Sequence, residues 1–345
     1  MDFKNYLVPG KTGLLIGIGG VSMSPLAEVL HDAGLDIRGS DMAESSNTLT
    51  LRERGIPIHI GHSADNVTDD ISFVIRTAAV HDDNPEVHEA HRRGIPVFER
   101  TQAWGALMRG YQNALCISGT HGKTTTTSMC THIMMAAEKD PTVMIGGTLP
   151  LLKACHRVGK GNTIIMESCE YYNSFLALNP TIAVVLNIEA DHLDFFKDLE
   201  DIKHSFRCFA ERVPAETGTV IANYDDANTM DALRGIARKV ITFGLNAKAD
   251  VYAQNIVHRG SVSEFDIYHR GNYFARVTLH VPGIHNVRNA LAATAAAIVL
   301  GVSPNAVKYG LAGFEGTGRR FDFKGKFQGA DLYDDYVCLL YTSPS

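Results

Sequence analysis

Short apolar runs alternate with stretches of helical apolar spacing along the first hundred positions: LLIGIG, SPLAEVLHDAG, IRGSD, LTLRERGIPIHIG, FVIRTAAV, NPEVHEAHRRG and IPVFER. Strand-length runs separated by helices predict a parallel sheet with crossover connections. From about residue 111 the pattern restarts with ALCISG, TTTTSMCTHIMMAAEK, TIIMES and TIAVVLNIE, and it continues to the alanine-rich NALAATAAAIVLG. Short alternating strands then follow GTGRRFDFKG, and the closing VCLLYTSPS has no strand-turn-helix logic. The expectation is an α/β protein in three parts. A Rossmann-like parallel-sheet domain covers 1–108, a central P-loop ATPase-like α/β domain covers 109–315, and the start of a carboxyl-terminal domain covers 316–345.

Two glycine-rich turns sit between a predicted strand and a predicted helix. In GIGGVSMS, Gly17, Gly19 and Gly20 would let the backbone approach a pyrophosphate on the helix amino terminus. Ser22 stands at the third glycine position of a dinucleotide fingerprint, so a ligand-free tight turn and a nicotinamide cofactor both stay open. Asp41, ending the second strand, is placed to accept from a ribose hydroxyl.

The stretch SGTHGKTTTTS reads more sharply. Backbone amides of Gly119, Thr120, His121 and Gly122 would wrap phosphate oxygens, Lys123 would reach the terminal phosphates, and the Thr124 hydroxyl would hold Mg²⁺, with Thr125 beside it. The loop has two residues between its glycines where the common P-loop has four. Glu167 closes the strand TIIMES and His192 follows AVVLNIEAD, on the sheet edge where open α/β sheets bind ligands. A carboxylate suits Mg²⁺; a histidine is softer and fits a second ion or the transferring group. In PGIHNVRNALAA, His285, Asn286 and Asn289 open a helix, where the asparagines either pair with a purine or simply cap. Arg319 and Arg320 either bridge phosphates or form a surface pair.

Composition narrows the classes. A net charge of −6 argues against a general nucleic-acid binder, and no apolar run is long enough to span a bilayer. The amino terminus lacks a secretory pattern, which predicts a cytoplasmic protein. Six cysteines without a C-x-x-C pair predict neither disulfides nor structural zinc. His59, His62, His81, His88 and His91 are expected at the solvated surface, and Met134 and Met135 in a core.

Taken together, GIGGVSMSPLAEVL with GSD, TAAVHDDNPEVHEA with GIPVFER, SGTHGKTTTT, ESCEYYNSFLALNP, NIEADHLD, PGIHNVRNALAATAAA, GTGRRFDFKG and DDY resemble the Mur ligases, in that family's order over nearly the whole chain. The resemblance implies ATP-dependent amide formation on a cytoplasmic peptidoglycan precursor. ATP would phosphorylate the lactyl carboxylate of UDP-N-acetylmuramate, and the amine of L-alanine would displace phosphate. It implies that Lys123 meets the β- and γ-phosphates, that Thr124 and Glu167 hold Mg²⁺, and that His192 lies near a second metal and the acyl phosphate. His285, Asn286 and Asn289 would hold adenine, and Arg320 and Asp335 would touch ATP from the third region. Gly17, Gly19, Gly20, Ser22, Met23 and Ser24 would hold the UDP diphosphate, with Asp41, Thr77 and Ala78 nearby, which turns the first loop toward a uridine nucleotide.

The chain departs from the family pattern in two places. Cys169 and Tyr171 stand where many relatives carry Asp and Ser, and relatives continue past DDY into a further domain where this sequence runs to VCLLYTSPS. That ending predicts a truncated chain that binds both nucleotides and turns over little. The alternatives are a non-catalytic module binding UDP-sugar and ATP, a murein-peptide ligase of the same family, and a nicotinamide-dependent oxidoreductase. No protein partner is implied.

Overall fold

Residues 2–77, 79–318, 322–327 and 329–334 are described by the structure, a computed structural model. The chain divides into two units, Met1–Tyr111 with Ala177–Asn179, and Gln112–Leu176 with Pro180–Ser345.

In the first unit the order is β1 (Thr12–Ile16), α1 (Ser24–Asp32), β2 (Asp36–Asp41), α2 (Ser46–Glu53), β3 (Ile58–Ile60), β4 (Ile71–Arg76), α3 (Pro85–Arg92), β5 (Val97–Glu99) and α4 (Arg100–Met108). The five strands form one parallel sheet in the order β3-β2-β1-β4-β5. Every residue of β1 is buried, as a continuous apolar run at the centre of a parallel sheet requires. Strand order reverses between β1 and β4, and such a switch opens a crevice at the strands' carboxyl ends. Gly17 follows β1 and Thr77 follows β4, so both face that crevice's edge. Helix starts are signalled locally: Ser45 and Thr48 form a reciprocal capping box on α2, and Asn84 caps α3 ahead of Pro85.

The second unit runs β6 (Asn113–Ser118), α5 (Lys123–Ala136), β7 (Thr142–Leu149), β8 (Ala154–Arg157), β9 (Thr163–Glu167), β10 (Ile182–Val185), α6 (Leu199–Glu211), β11 (Thr219–Asn223), α7 (Ala227–Ala232) and β12 (Lys239–Gly244). It continues with β13 (Val251–Arg259), β14 (Val262–His269), β15 (Asn272–Leu279), α8 (Ile284–Val299), α9 (Pro304–Ala312), β16 (Asp322–Phe327) and β17 (Ala330–Asp334). A ten-stranded sheet has the order β15-β14-β13-β12-β11-β10-β6-β9-β7-β8. The run from β13 to β7 is parallel, while β8, β14 and β15 join by antiparallel pairing. The α/β expectation is borne out. The sequence reading did not single out the β13–β15 meander, in which β14 and β15 bury alternate residues, whereas β13 is buried at 251–253 and mostly exposed beyond.

Met129, Ile133 and Met134 of α5 share one core with Ala290, Ala293 and Ala297 of α8, the small alanines letting two buried helices approach. Met134 is buried as expected, and Met135 half-buried. All five cysteines among the described residues are free thiols, and burial pushes Cys116 and Cys130 up to about 12. β16 and β17 form a separate two-stranded antiparallel sheet.

Candidate active site

In the first unit the loop after β1 is tied to the strand beside it. Gly17 and Ile18 amides donate to Ser40 O at 2.8 and 3.0 Å, and the Gly19 amide donates to Asp41 Oδ2 at 2.8 Å. Asp41 therefore spends one carboxylate oxygen on shaping the loop, where the sequence placed it for a ribose. Met23 is fully buried, and the Met23 and Ser24 amides both donate to Gly20 O, so these two residues build the turn into α1. Thr77 is half-buried at the end of β4; Ala78 lies outside the described residues.

Beneath this loop lies a network that the sequence reading missed. Glu86, fully buried in the first turn of α3, accepts from Ser40 Oγ at 2.7 Å and Asn66 Nδ2 at 2.6 Å, and its Oε2 lies 2.8 Å from His62 Nδ1. His62 is thus a correction to the expected solvated surface histidine: the chain after β3 folds back over α3, where a buried carboxylate needs donors. His59, His81, His88 and His91 are exposed, as expected.

In the second unit the loop between β6 and α5 is built by two glycines. Gly119 at φ +143° and Gly122 at φ +86° adopt backbone that disfavours any side chain. A Cβ on Gly122 would also lie 2.6 Å from Asn289 Oδ1. The turn aims the amino terminus of α5 at the carboxyl edge of the sheet, a favourable place for anionic oxygens.

Asn187, just past β10, clamps this loop. Its Oδ1 accepts from the His121 amide at 2.8 Å, its Nδ2 donates to His121 O at 3.0 Å, and its carbonyl accepts from the Thr120 amide. Lys123 Nζ donates to Gly119 O at 2.6 Å, Thr120 O at 3.2 Å and Glu170 Oε2 at 2.9 Å. The Lys123 and Glu170 side chains are 15% and 3% exposed, so the pair is shielded, and the loop carbonyls help to satisfy the ammonium.

Thr124 Oγ1 donates to Glu167 Oε1 at 2.9 Å, while Glu167 Oε2 accepts from the Gly146 amide at 2.6 Å. The carboxylate at the end of β9 is thereby fixed against the first turn of α5. His192 sits on the Glu170 side of the site, Nε2 3.8 Å from Glu170 Oε1. Among the described residues no group of three or more His, Cys, Asp or Glu is arranged to hold a metal. The structure therefore joins Thr124 to Glu167 but does not gather Glu167 and His192 around one ion. One hydroxyl and one carboxylate form a hard oxygen pair that fits Mg²⁺, an ion that keeps several waters and takes its remaining ligands from phosphates.

A cavity of about 400 Å³ opens beside the loop, lined by Gly122, Asn187, Asp225, His285, Arg288 and Asn289 among others. Of the three residues singled out in PGIHNVRNALAA, His285 and Asn289 line it and Asn286 does not. Its Nδ2 donates to Pro282 O at 2.7 Å and its Oδ1 accepts from Asn289 Nδ2 at 3.2 Å, which braces Asn289 against Gly122. Arg288, which the sequence reading passed over, lies one turn from His285; its Nε has no hydrogen-bond partner and is 4.0 Å from Asp225 Oδ2. Thr125 is half-buried on α5. Arg319, Arg320 and Asp335 lie outside the described residues.

Fold and loop together define a nucleotide-binding α/β protein, and comparison with known proteins specifies the family. Residues 117–297 match the Mur ligase middle domain, and residues 15–112 match the model described as Mur ligase family, catalytic domain. The chain belongs to the Mur ligase family. It is 45% identical to the UDP-N-acetylmuramate--L-alanine ligase of Agathobacter rectalis over 93% of this chain and 70% of that protein. The ligase of the same name from Caldicellulosiruptor saccharolyticus is 44% identical, over 94% and 71%. Among solved structures, the UDP-N-acetylmuramate-alanine ligase of Thermotoga maritima superposes with a TM-score of 0.78 at 30% identity, covering 94% of this chain and 74% of that one. The UDP-N-acetylmuramate:L-alanyl-gamma-D-glutamyl-meso-diaminopimelate ligase of Neisseria meningitides superposes with a TM-score of 0.80 at 26% identity, covering 90% and 100%.

Proposed function

We propose that this chain belongs to an enzyme that joins L-alanine to the lactyl carboxylate of UDP-N-acetylmuramate at the expense of ATP. The observation that carries the reading is the Lys123, Thr124 and Glu167 constellation at the end of β6 and β9, in a chain 45% identical to a ligase of that name. Carboxylate activation needs no protein nucleophile. It needs positioning and neutralisation of charge, and the loop amides with a shielded lysine supply both.

On this reading Lys123 exchanges its loop carbonyls for the terminal phosphate oxygens of ATP and retains Glu170 as its orienting partner. Thr124 and Glu167 would hold Mg²⁺, which would supply Lewis-acid neutralisation of the phosphates. His192 stands by the transferring group. His285, Asn289 and Arg288 line the place for the adenosine moiety, and Gly17, Gly19, Gly20 and Ser22 hold the uridine diphosphate. We assign residues 316–345 to the start of a third domain. No helix among the described residues is long and apolar enough to cross a membrane, and we place the reaction in the cytoplasm.

The test is phosphate release from ATP and Mg²⁺ by the chain extended to its relatives' full length. Release is expected only with both UDP-N-acetylmuramate and L-alanine present; no release with all substrates supplied contradicts the assignment. The likeness to the Neisseria ligase supports a second reading, in which a peptide is the acceptor. Release with L-alanyl-γ-D-glutamyl-diaminopimelate and none with L-alanine would select it.

A further inference from the structure

An aromatic cluster borders the Lys123–Glu170 pair, and its geometry is more constrained than any of the roles above requires. The Tyr171 and His192 rings stack at 4.4 Å between centroids and 25° between planes. The Tyr171 hydroxyl donates to Asp194, two residues beyond His192. Behind Tyr171 lies Tyr172, 4.3 Å away, and Phe195 packs on Tyr172 at 4.9 Å. The backbone is held on both sides of the stack. His192 has φ +52°, and Tyr172 and Asn173 have φ +52° and +55°, three non-glycine residues in the left-handed region. Such conformations persist only where neighbouring contacts over-determine them.

Those contacts are present. The His192 amide donates to Asp191 Oδ1 at 2.8 Å, while Phe195 and Phe196 amides both donate to His192 O at 2.9 Å. The Asn173 amide donates to Glu170 O at 2.8 Å, and Asn173 Oδ1 accepts from Ser205 Oγ. Ser174 Oγ donates to Cys169 O at 2.8 Å. Glu170 and Tyr171 are consecutive, so the segment that orients Lys123 also presents the ring on which His192 rests. A half-exposed imidazole has free rotation about two bonds unless something fixes its plane.

We propose that Tyr171 is a positioning residue: its ring, anchored through the hydroxyl to Asp194, sets the plane of His192 and so directs Nε2 toward the Glu170–Lys123 side of the site. The inference rests on the ligase reading for its consequence, because a fixed imidazole matters where a phosphoryl group is transferred. Tyr171 touches no substrate in this account. It acts through His192, so its loss lowers turnover without loosening nucleotide binding.

The test uses the chain extended to its relatives' length, with Tyr171→Leu, which removes the ring, and Tyr171→Phe, which keeps the stack but not the Asp194 bond. The His192 Cε1–H resonance, assigned by its disappearance in His192→Gln, is expected upfield from ring current in the parent, near that position in Tyr171→Phe and shifted away in Tyr171→Leu. Turnover in Tyr171→Leu is expected to fall about tenfold or more with KM for ATP within about twofold, and Tyr171→Phe is expected to recover most of it. An unmoved His192 resonance in folded Tyr171→Leu overturns the inference, and so does a moved resonance with unchanged turnover. A parent that releases no phosphate sinks the ligase reading instead, and this inference falls with it.

Discussion

Thr124 Oγ1 donates to Glu167 Oε1 at 2.9 Å, so the first turn of α5 and the end of β9 are already joined at the place proposed for the metal ion. If both residues act through one Mg²⁺, their contributions to nucleotide affinity overlap. Thr124→Ala and Glu167→Gln are each expected to weaken Mg·ATP binding about tenfold, and the double variant to fall well short of the product. Affinity measured with and without Mg²⁺ checks this. Additive losses that persist without the metal would contradict it.

Glu86 in the first unit meets three side-chain donors while fully buried. Glu86→Ala strands Ser40, His62 and Asn66 together and is expected to destabilise the protein by about 3 kcal/mol. Glu86→Gln retains one acceptor and is expected to cost less. Denaturant melts of both variants decide the order; equal and negligible losses would mean that the network does not hold the glycine loop.

His132 on α5 stacks edge-on to Phe314, and burial lowers its imidazole to about 4 from the ordinary 6.5. The folded state binds that proton less readily than the unfolded chain. The contribution is therefore fully present above pH 6.5 and is lost as acid is added through the window from 6.5 to 4, by about 3 kcal/mol at most. His132→Gln is expected to flatten stability against pH in that window. An unchanged acid limb would show that His132 is not a source of acid sensitivity.

The glycine loop before α5 was legible as a candidate site because its pattern is local: strand, two glycines, lysine, threonine and helix follow one another within residues 113 to 130. The place of Glu167 was legible because it ends a strand at the carboxyl edge of the sheet, beside the loop before α5. Asn187 was not, since an asparagine after a strand carries no mark of the loop it grips some sixty positions earlier; only the adjacency of β10 to β6 brings them together. The same holds for His62 and Glu86, which are joined by a chain reversal that no periodicity records. Arg288 was hidden among alanines on a buried helix, where an arginine near the end reads as surface charge. For Asn286 the sequence left purine pairing and capping both open, and its amide is engaged by Pro282 O and Asn289.

The central claim is that Lys123 holds the terminal phosphates of ATP. The most direct measurement is Mg·ATP affinity and phosphate release for Lys123→Ala in the chain extended to its relatives' length, with circular dichroism confirming the fold. The account predicts at least about tenfold weaker binding and a fall in phosphate release of about a hundredfold or more. Unchanged affinity together with unchanged release would contradict it.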